Sequence, residues 1–215
     1  MPSLKAIAEE IQIIAKYESC RKPLRRIEGY LDDEEGFALT LLAAHGPAEG
    51  AVVEIGSYRG RSTAFLALGC QLTNRGQVTA IDHFMGSPEH QIGQMFTDAE
   101  VAKRGTTFHA FNRNLEKVGL IDFVTPISMK SVDAARDWNR PIRLLFIDGD
   151  HSYESSKEDY ELFEPFVVAG GVICFHDLGS WEGVTRFFNE IIETNRNLSL
   201  SFRVGSLAVV VKRGQ

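Results

Sequence analysis

The chain has 215 residues, 44% hydrophobic and 24% charged, values typical of one soluble globular domain with a sizeable core. Its formal net charge of −6 argues against a broad surface for nucleic acid or anionic membranes. Three isolated cysteines without C-x-x-C spacing argue against a disulfide framework or a zinc knuckle, and no apolar run approaches the length of a membrane span. We therefore expect a cytoplasmic protein that binds neither nucleic acid nor membrane.

The beginning of the chain predicts a helical cap. Four apolar residues recur at helical spacing, namely Leu4, Ile7, Ile11 and Ile14. Because such a helix is not stable alone, this stripe must pack on the domain or on a second subunit, which would make a homodimer. Helical pieces continue over 21–45 and end at His45-Gly46-Pro47. We expect a single domain, with residues 1–48 as the cap and 49–215 as the core.

From Ala51 onward, strand patterns alternate with helical patterns. Five short apolar segments predict buried strands, at 51–55, 78–81, 122–127, 142–147 and 171–175. Helical patterns follow them in turn, at about 61–73, 98–119, 131–138, 153–167 and 181–195. Nearly continuous apolar strands separated by helices indicate a parallel sheet with helices on both faces.

The C-terminal segment has a different pattern. Apolar and polar residues alternate over 198–204, Gly205-Ser206 is a candidate turn, and 207–211 returns as a strand. The predicted fold is therefore α/β and Rossmann-like, with a seven-stranded, mainly parallel sheet that closes with an antiparallel hairpin. A plain dinucleotide-binding fold would instead continue with βαβ units.

A glycine turn follows the first strand, in the stretch AVVEIGSYRGRST. Gly56 and Gly60 bracket this turn, which leads into a helix whose N-terminus offers free N–H groups and a positive dipole end. Asp82 ends the second strand, where a carboxylate can accept both hydroxyls of a ribose, although it could also be a cap or turn residue. The spacing is G-x-x-x-G with Tyr58 between the glycines, which argues against close approach by a pyrophosphate.

Polar clusters follow the fourth and fifth strands. LLFIDGDHSYE places Asp148, Asp150 and His151 after one strand, and GGVICFHDL places His176 and Asp177 after the next. If these strands are neighbours, the clusters converge and suit a hard divalent ion beside a general base. The alternative is a hydrogen-bonded network that orders the loops and holds no metal.

An irregular insert occupies residues 83–97, just after the second strand. Because ligands in open α/β sheets bind outside the carboxyl ends of the strands, this insert could be a substrate lid. A surface excursion without function is the equal alternative.

The run from Val52 to the closing hairpin resembles class I S-adenosylmethionine-dependent methyltransferases. The matching pieces are VVEIGSYRGRST, TAIDHF, LLFIDGDHSYE and AGGVICFHDL. Within that family it looks most like the small-molecule O-methyltransferases, including the catechol-type enzymes and the cephalosporin-hydroxylase and macrolide-sugar group. The resemblance implies S-adenosylmethionine as cofactor and a hydroxylated small molecule, of sugar or natural-product type, as methyl acceptor.

The resemblance also implies a role for each matching cofactor residue. The methionine end of the cofactor would lie against Glu54, Gly56, Ser57, Tyr58, Gly60 and Ser62. Asp82 would bind the ribose with His83 beside it. Ser128 and Met129, after the third strand, would contact adenine, and Asp148 would border the cofactor as well.

For catalysis, the resemblance implies Mg²⁺ or another divalent ion held by Asp148, His176 and Asp177. Relatives carry oxygen ligands where this chain has His176, which leaves room for a softer ion. His151 stands where relatives place a general base, and a histidine can take a hydroxyl proton near neutral pH. The competing hypotheses are a nicotinamide-dependent oxidoreductase and a cofactor-binding module without turnover.

Overall fold

The computed structural model describes residues 4–46 and 48–214. Its strands are β1 (Ala51–Ile55), β2 (Val78–Asp82), β3 (Val124–Ser128), β4 (Ile142–Ile147), β5 (Val167–Phe175), β6 (Leu198–Val204) and β7 (Leu207–Lys212). Its helices are α1 (Leu4–Leu24), α2 (Asp33–His45), α3 (Arg61–Thr73), α4 (Ala99–Arg104), α5 (Phe108–Lys117), α6 (Ser131–Arg136), α7 (Tyr153–Phe163) and α8 (Glu182–Thr194). None of these helices is long and apolar enough to cross a membrane.

The strands form one seven-stranded sheet in the order β3-β2-β1-β4-β5-β7-β6. Strands β1 to β5 pair in parallel, whereas β7 runs antiparallel to both β5 and β6. The predicted parallel sheet with a closing antiparallel hairpin is confirmed. Since β1 and β4 are neighbours but not consecutive, the chain reverses its winding direction between them, and a crevice opens there at the carboxyl ends of the strands.

Alternate side chains of the strands fill two cores, one on each face of the sheet. Val52 and Leu144 belong to one cluster with α2 and α3, and Val53 and Leu145 belong to the other with α7 and α8. This arrangement explains the continuous apolar strands in the sequence, because the central strands β1, β2 and β4 are buried on both faces.

Some helices and strands begin or end at residues other than those predicted. The pattern predicted as one helix over 98–119 is divided into α4 and α5, because Gly105 adopts a left-handed conformation and ends α4. α7 ends at Phe163 rather than 167, and a short 3₁₀ turn with Pro165 near its start follows. β5 begins four residues earlier than predicted, at Val167.

Helix α1 buries a different face from the one predicted. Ile13, Tyr17 and Leu24 pack into the domain, whereas Ile7, Ile11 and Ile14 are 39%, 61% and 42% exposed. The side chain of Leu4 and the backbone of Pro47 lie outside the described residues. The stripe of the sequence analysis therefore does not pack on this domain, and its packing on a second subunit stays a prediction.

A buried carboxylate joins the cap to the sheet. Glu35 of α2 is 2% exposed, and its Oε1 accepts hydrogen bonds from the backbone N (2.7 Å) and Oγ (2.8 Å) of Ser206 in the β6–β7 turn. Its Oε2 accepts from the backbone N of Asp32 at 2.8 Å and lies 3.0 Å from His176 Nε2. Burial would raise the pKa of Glu35, but the hydrogen bonds from His176, Asp32 and Ser206 outweigh it and lower the pKa to about 2.

Gly56 follows β1 and lies against the backbone that follows β4. Its φ is +84°, and a Cβ there would collide with the carbonyl oxygen of Asp148. The backbone N of Asp148 also donates to the carbonyl of Ile55 at 2.9 Å, which holds the two backbone segments together. Only glycine fits this position, for both conformational and steric reasons.

We predict that Gly56→Ala destabilises the protein far more than Gly76→Ala does. Gly76 also has a positive φ, of +74°, but a Cβ there meets nothing within 4 Å. Gly76→Ala, the control, should lower the free energy of unfolding by about 1 to 2 kcal/mol for its conformation alone. Gly56→Ala should lower it by at least about 2 kcal/mol more, because the backbone must move to make room for the Cβ. Urea unfolding of both variants measures the difference, and equal costs would contradict the collision.

We predict that Glu35→Gln costs about 3 kcal/mol at pH 7, the free energy that corresponds to the lowered pKa. Because the folded-state pKa is depressed from 4.5 to about 2, this stabilisation is present above pH 4.5 and is lost as pH falls toward 2. The difference in the free energy of unfolding between wild type and variant should therefore decrease between pH 4.5 and pH 2, as measured by urea titrations. Glu34→Gln, an exposed neighbour on α2, is the control; a pH-independent gap for Glu35→Gln would refute the charge interaction.

Candidate functional site

One large cavity of about 1330 Å³ opens at the carboxyl edge of the sheet. The predicted site residues that line it are Gly56, Ser57, Tyr58, Ser62, Asp82, His83, Met129, Asp148, His151, His176 and Asp177. Three other predicted cofactor contacts, Glu54, Gly60 and Ser128, are not among its lining residues. Residues of the cap and of the 83–97 insert complete its walls, among them Tyr30, Glu35, Glu89 and His90.

Glu54 lies beneath the glycine turn rather than in the cavity. It is fully buried, and its Oε2 accepts hydrogen bonds from Ser57 Oγ at 2.7 Å and from the hydroxyl of Thr63. Burial raises the pKa of Glu54 to about 7, against the hydrogen bonds from Ser62, Thr63 and Ser57. The residue therefore holds the turn from below through Oε2, whereas its Oε1 is buried without a hydrogen-bond partner among the described residues. Its predicted contact with the amino group of the cofactor stays a prediction.

The carboxylate of Asp82 holds the glycine turn in place. Its Oδ2 accepts from the backbone N–H groups of Ser57 at 2.9 Å and Tyr58 at 2.7 Å, and its Oδ1 accepts from Phe84 at 2.6 Å. A carboxylate has about four acceptor sites, and three are occupied here. Asp82 therefore has one site left, at Oδ1, and its contact with a ribose stays a prediction.

The glycine turn is tied to the insert through Asp98, the N-cap residue of α4. This carboxylate is 3% exposed and accepts from the Tyr58 hydroxyl, from Arg59 (Nε at 2.9 Å, NH2 at 2.7 Å) and from the backbone N of Val101 at 2.8 Å. Arg59 also pairs with Glu28 of the cap. Three segments distant in sequence therefore meet at one end of the cavity.

Aromatic rings cover the same end. Tyr58 of the turn stacks on His90 of the insert with 4.8 Å between ring centroids. Tyr30 of the cap stacks on both of them, and Phe96 meets Tyr30 edge-on at 5.9 Å. The insert thus forms a wall of the cavity, which supports the lid hypothesis over a surface excursion.

A chain of charged side chains also lines the cavity. His176 is 3% exposed, and its Nδ1 lies 3.0 Å from Asp148 Oδ1 while its Nε2 lies 3.0 Å from Glu35 Oε2. Burial would lower the pKa of His176, but the charge of Asp148 and the hydrogen bonds to Asp148, Asp177 and Glu35 raise it well above its usual range. His176 is therefore an imidazolium that donates from both nitrogens.

Next to this chain, His151 forms a pair with Asp177. Its Nε2 lies 3.0 Å from Asp177 Oδ2, its Nδ1 lies 3.2 Å from Glu89 Oε1 of the insert, and its ring stacks on Trp181 at 4.4 Å. Burial lowers the pKa of His151, but the hydrogen bond and charge of Asp177, with the charges of Asp148 and Glu89, give a net rise. The pKa of Asp177 falls well below its usual range because hydrogen bonds and charge from His151 and His176 outweigh its burial.

The residues that could hold a metal ion differ from the predicted set by one histidine. Ligand atoms of Asp148, His151 and Asp177 all lie within 4.8 Å of one another. Both nitrogens of His176 face carboxylates instead, so His176 does not fit the ligand role expected for it. Two carboxylates and one imidazole fit a divalent ion that accepts mixed oxygen and nitrogen ligands.

The cavity as a whole is strongly acidic. Nine of its lining residues carry carboxylates: Asp32, Glu35, Asp82, Glu89, Asp148, Asp150, Glu158, Asp159 and Asp177. The lysine and arginine side chains that line it are Lys130 and Arg61, and Arg61 donates to the backbone carbonyls of Arg25 and Ile27 at 3.1 Å. Such a field attracts cations and repels phosphates.

Sequence reasoning missed Glu35, Glu89 and Asp98, which all lie in segments without a catalytic motif. Asp98 carries the signal of a helix N-cap, and Glu35 that of a capping box with Asp32. Neither signal tells which distant side chains these carboxylates meet.

The fold resembles that of solved methyltransferases at low sequence identity. An O-methyltransferase from Bacillus cereus in complex with SAH is 19% identical with a TM-score of 0.62, over 99% of this chain and 93% of that one. The O-methyltransferase TomG from Streptomyces achromogenes, involved in tomaymycin synthesis and solved with SAM, is 17% identical with a TM-score of 0.62, over 94% and 90%. The apo TDP-rhamnose 3′-O-methyltransferase CalS11 of calicheamicin biosynthesis is 13% identical with a TM-score of 0.56, over 100% and 97%.

A protein family described as "Methyltransferase domain" matches residues 53–178. The match begins within β1 and ends just after Asp177, so it includes the glycine turn, Asp82 and both polar clusters. It spans more than half of the 215 residues. The chain therefore belongs to this methyltransferase-domain family, as the resemblance of its motifs predicted.

Proposed function

We propose that this protein transfers a methyl group from S-adenosylmethionine to a hydroxyl of a small molecule. One observation carries the proposal: a single cavity is lined both by the glycine turn with Asp82 and by Asp148, His151 and Asp177. In a methyltransferase-domain protein, the first group suits a nucleoside-bearing donor and the second suits activation of a hydroxyl.

The charge of the cavity supports this donor over a dinucleotide. S-adenosylmethionine carries a positive sulfur and an ammonium group, which the carboxylates of the cavity stabilise. NAD carries a pyrophosphate, for which the cavity offers Lys130 and an Arg61 already bonded to backbone carbonyls. The B. cereus and S. achromogenes structures, which hold SAH and SAM, are consistent with the same donor here.

The chemistry follows from alignment and proton removal. Bound S-adenosylmethionine supplies a methyl group that is already activated by its positive sulfur. The protein must place the acceptor oxygen in line with it and exclude water, which the insert and the cap do by closing the cavity. His151 takes the hydroxyl proton, and the charge of Asp177, whose Oδ2 lies 3.0 Å from its Nε2, stabilises the resulting imidazolium.

Asp148, His151 and Asp177 also fit a divalent ion, which we propose as a catalytic aid. When bound, such an ion lowers the pKa of the acceptor hydroxyl and positions its oxygen. His151 would then be a ligand, and the mixed donor set favours Mn²⁺ or a softer ion over Mg²⁺. Without a metal, His151 and Asp177 remain a base and its partner.

For the acceptor, we propose an uncharged or cationic molecule of sugar or natural-product type. The acidic lining disfavours phosphate-bearing acceptors, and exposed Tyr30, Phe96 and Trp181 offer apolar surface at the cavity walls. We also propose that residues 1–48 act as a cap over the cavity, since Tyr30 and Glu35 line it.

The two competing hypotheses have less support. A nicotinamide-dependent oxidoreductase would bind its pyrophosphate at a G-x-G turn, whereas this chain has Tyr58 there and an acidic cavity. A module without turnover would not need the coupled His151–Asp177 pair.

We predict that S-adenosylhomocysteine stabilises the protein and NAD does not. At 100 times its Kd, a ligand that binds only the native state adds about 2.7 kcal/mol, which corresponds to a rise in Tm of about 5 to 10 °C at this size. Differential scanning fluorimetry measures both ligands side by side. A shift with NAD alone would overturn the proposed function, and methyl transfer in a screen with labelled donor would exclude a module without turnover.

We predict that Mn²⁺ binds the cluster and that Asp177→Asn or His151→Ala weakens its Kd by roughly tenfold to a hundredfold. Electron paramagnetic resonance of free Mn²⁺ measures the affinity, with His83→Ala as a control that alters the cavity wall but not the cluster. If wild type binds no Mn²⁺, the metal-free mechanism holds. Methyl transfer by His151→Ala at the wild-type rate would remove His151 as the base.

A further inference from the structure

The insert contributes one carboxylate, that of Glu89, to the cavity wall beside His151. Glu89 belongs to a short 3₁₀ turn over Pro88–His90, and its side chain is 17% exposed. Both Glu89 and His151 line the cavity. In the described part of the chain, the basic side chain that lies within ion-pair distance of Glu89 is His151, whereas no lysine or arginine does.

Two neighbouring polar atoms at this place make no hydrogen bond. Glu89 Oε1 and His151 Nδ1 lie 3.2 Å apart, yet each is buried without a hydrogen-bond partner among the described residues. Buried polar atoms in proteins are nearly always hydrogen-bonded. Glu35 and Asp98, the other carboxylates that join the cap and the insert to the site, each receive several hydrogen bonds. This difference indicates that a ligand supplies the missing partners.

Exposed aromatic rings lie close to the same carboxylate. The ring of Trp181 stacks on that of His151 at 4.4 Å, and Trp181 lines the cavity. Tyr30 also lines it, and burial together with the charges of Asp98 and Glu89 raises the pKa of Tyr30. Because the faces of aromatic rings attract cations, these rings and the carboxylate of Glu89 together suit a positively charged group.

We infer that Glu89 binds an ammonium group of the methyl acceptor, so that the acceptor is an amino alcohol such as an amino sugar. The inference rests on the proposed function, in which His151 takes the proton of the methylated hydroxyl. Since Glu89 Oε1 and His151 Nδ1 are only 3.2 Å apart, the amine and this hydroxyl occupy adjacent carbon atoms of the acceptor. An ammonium brings both a donor and a charge, and such hydrogen bonds to a carboxylate are stronger than those from a neutral hydroxyl.

A purely structural role for Glu89 predicts a different outcome. If its carboxylate only held the insert against His151, its loss would loosen the wall and weaken charged and uncharged acceptors by the same factor. A contact with the ammonium changes the ratio of affinities between two acceptors that differ only in an amine or a hydroxyl at one carbon. The test is therefore this ratio rather than a single affinity.

The full chain, with S-adenosylhomocysteine added, is titrated calorimetrically at pH 7 with pairs of methyl glycosides. The pairs are the glycosides of glucosamine and glucose, of galactosamine and galactose, and of 3-amino-3-deoxyglucose and glucose. At least one amino glycoside should bind wild type roughly tenfold or more tightly than its hydroxyl partner, as expected for a charged hydrogen bond.

Glu89→Gln should lower this ratio toward unity, because the amide keeps the shape of the side chain but removes its charge. Glu158→Gln is the matched control. It removes an exposed carboxylate from the same cavity and should leave the ratio unchanged, since Glu158 is not among the residues beside His151.

The inference is overturned if no amino glycoside binds wild type more tightly than its hydroxyl partner, a result that requires no variant to fold. An unchanged ratio in folded Glu89→Gln would also overturn it, as would an equal fall in Glu158→Gln, which would assign the preference to the general charge of the cavity. A separate titration of wild type with S-adenosylhomocysteine alone tests the proposed donor. The two failures are therefore distinguishable.

Discussion

The site depends on one buried imidazolium held between two carboxylates. His176 ends β5 and reaches Asp148 after β4 with one nitrogen and Glu35 of the cap with the other, each at 3.0 Å. Glu35 in turn holds the β6–β7 turn through Ser206. Because removal of any one partner would leave an uncompensated charge in the interior, the network fixes the cap, the hairpin and Asp148 relative to one another. His176 thus organises the site rather than binding a metal ion.

A second buried carboxylate, Asp98 at the start of α4, also joins segments that are distant in sequence. The carboxylate of Asp98, just after the insert, accepts hydrogen bonds from the hydroxyl of Tyr58 and the guanidinium of Arg59. It therefore connects the glycine turn to the end of the insert. Glu89 of the insert also approaches His151. The wall that covers the proposed donor is therefore connected to the groups proposed to activate the acceptor.

The acidic lining gives the separate proposals a common physical basis. A cavity with nine carboxylates favours a positively charged donor, a divalent ion and an acceptor without phosphate. The individual carboxylates nevertheless differ in their pKa values. The pKa of Glu35 is lowered because His176 adds a positive charge to the hydrogen bonds, whereas Glu54 and Asp159 are buried without a positive charge beside them and have raised pKa values.

The sequence by itself determined the strand and helix order, the closing hairpin and the glycine turn, because apolar periodicity and glycine spacing report burial and backbone conformation locally. It also indicated that Asp148, His151 and Asp177 would meet, since parallel strands place their carboxyl ends at one edge. Only the tertiary structure decided that His176 points into a charge network, that Glu54 lies beneath the turn, and that Glu35, Glu89 and Asp159 line the cavity. These contacts join residues as far apart as Glu35 and His176, and local pattern carries no information about which distant side chain will supply a hydrogen-bond partner.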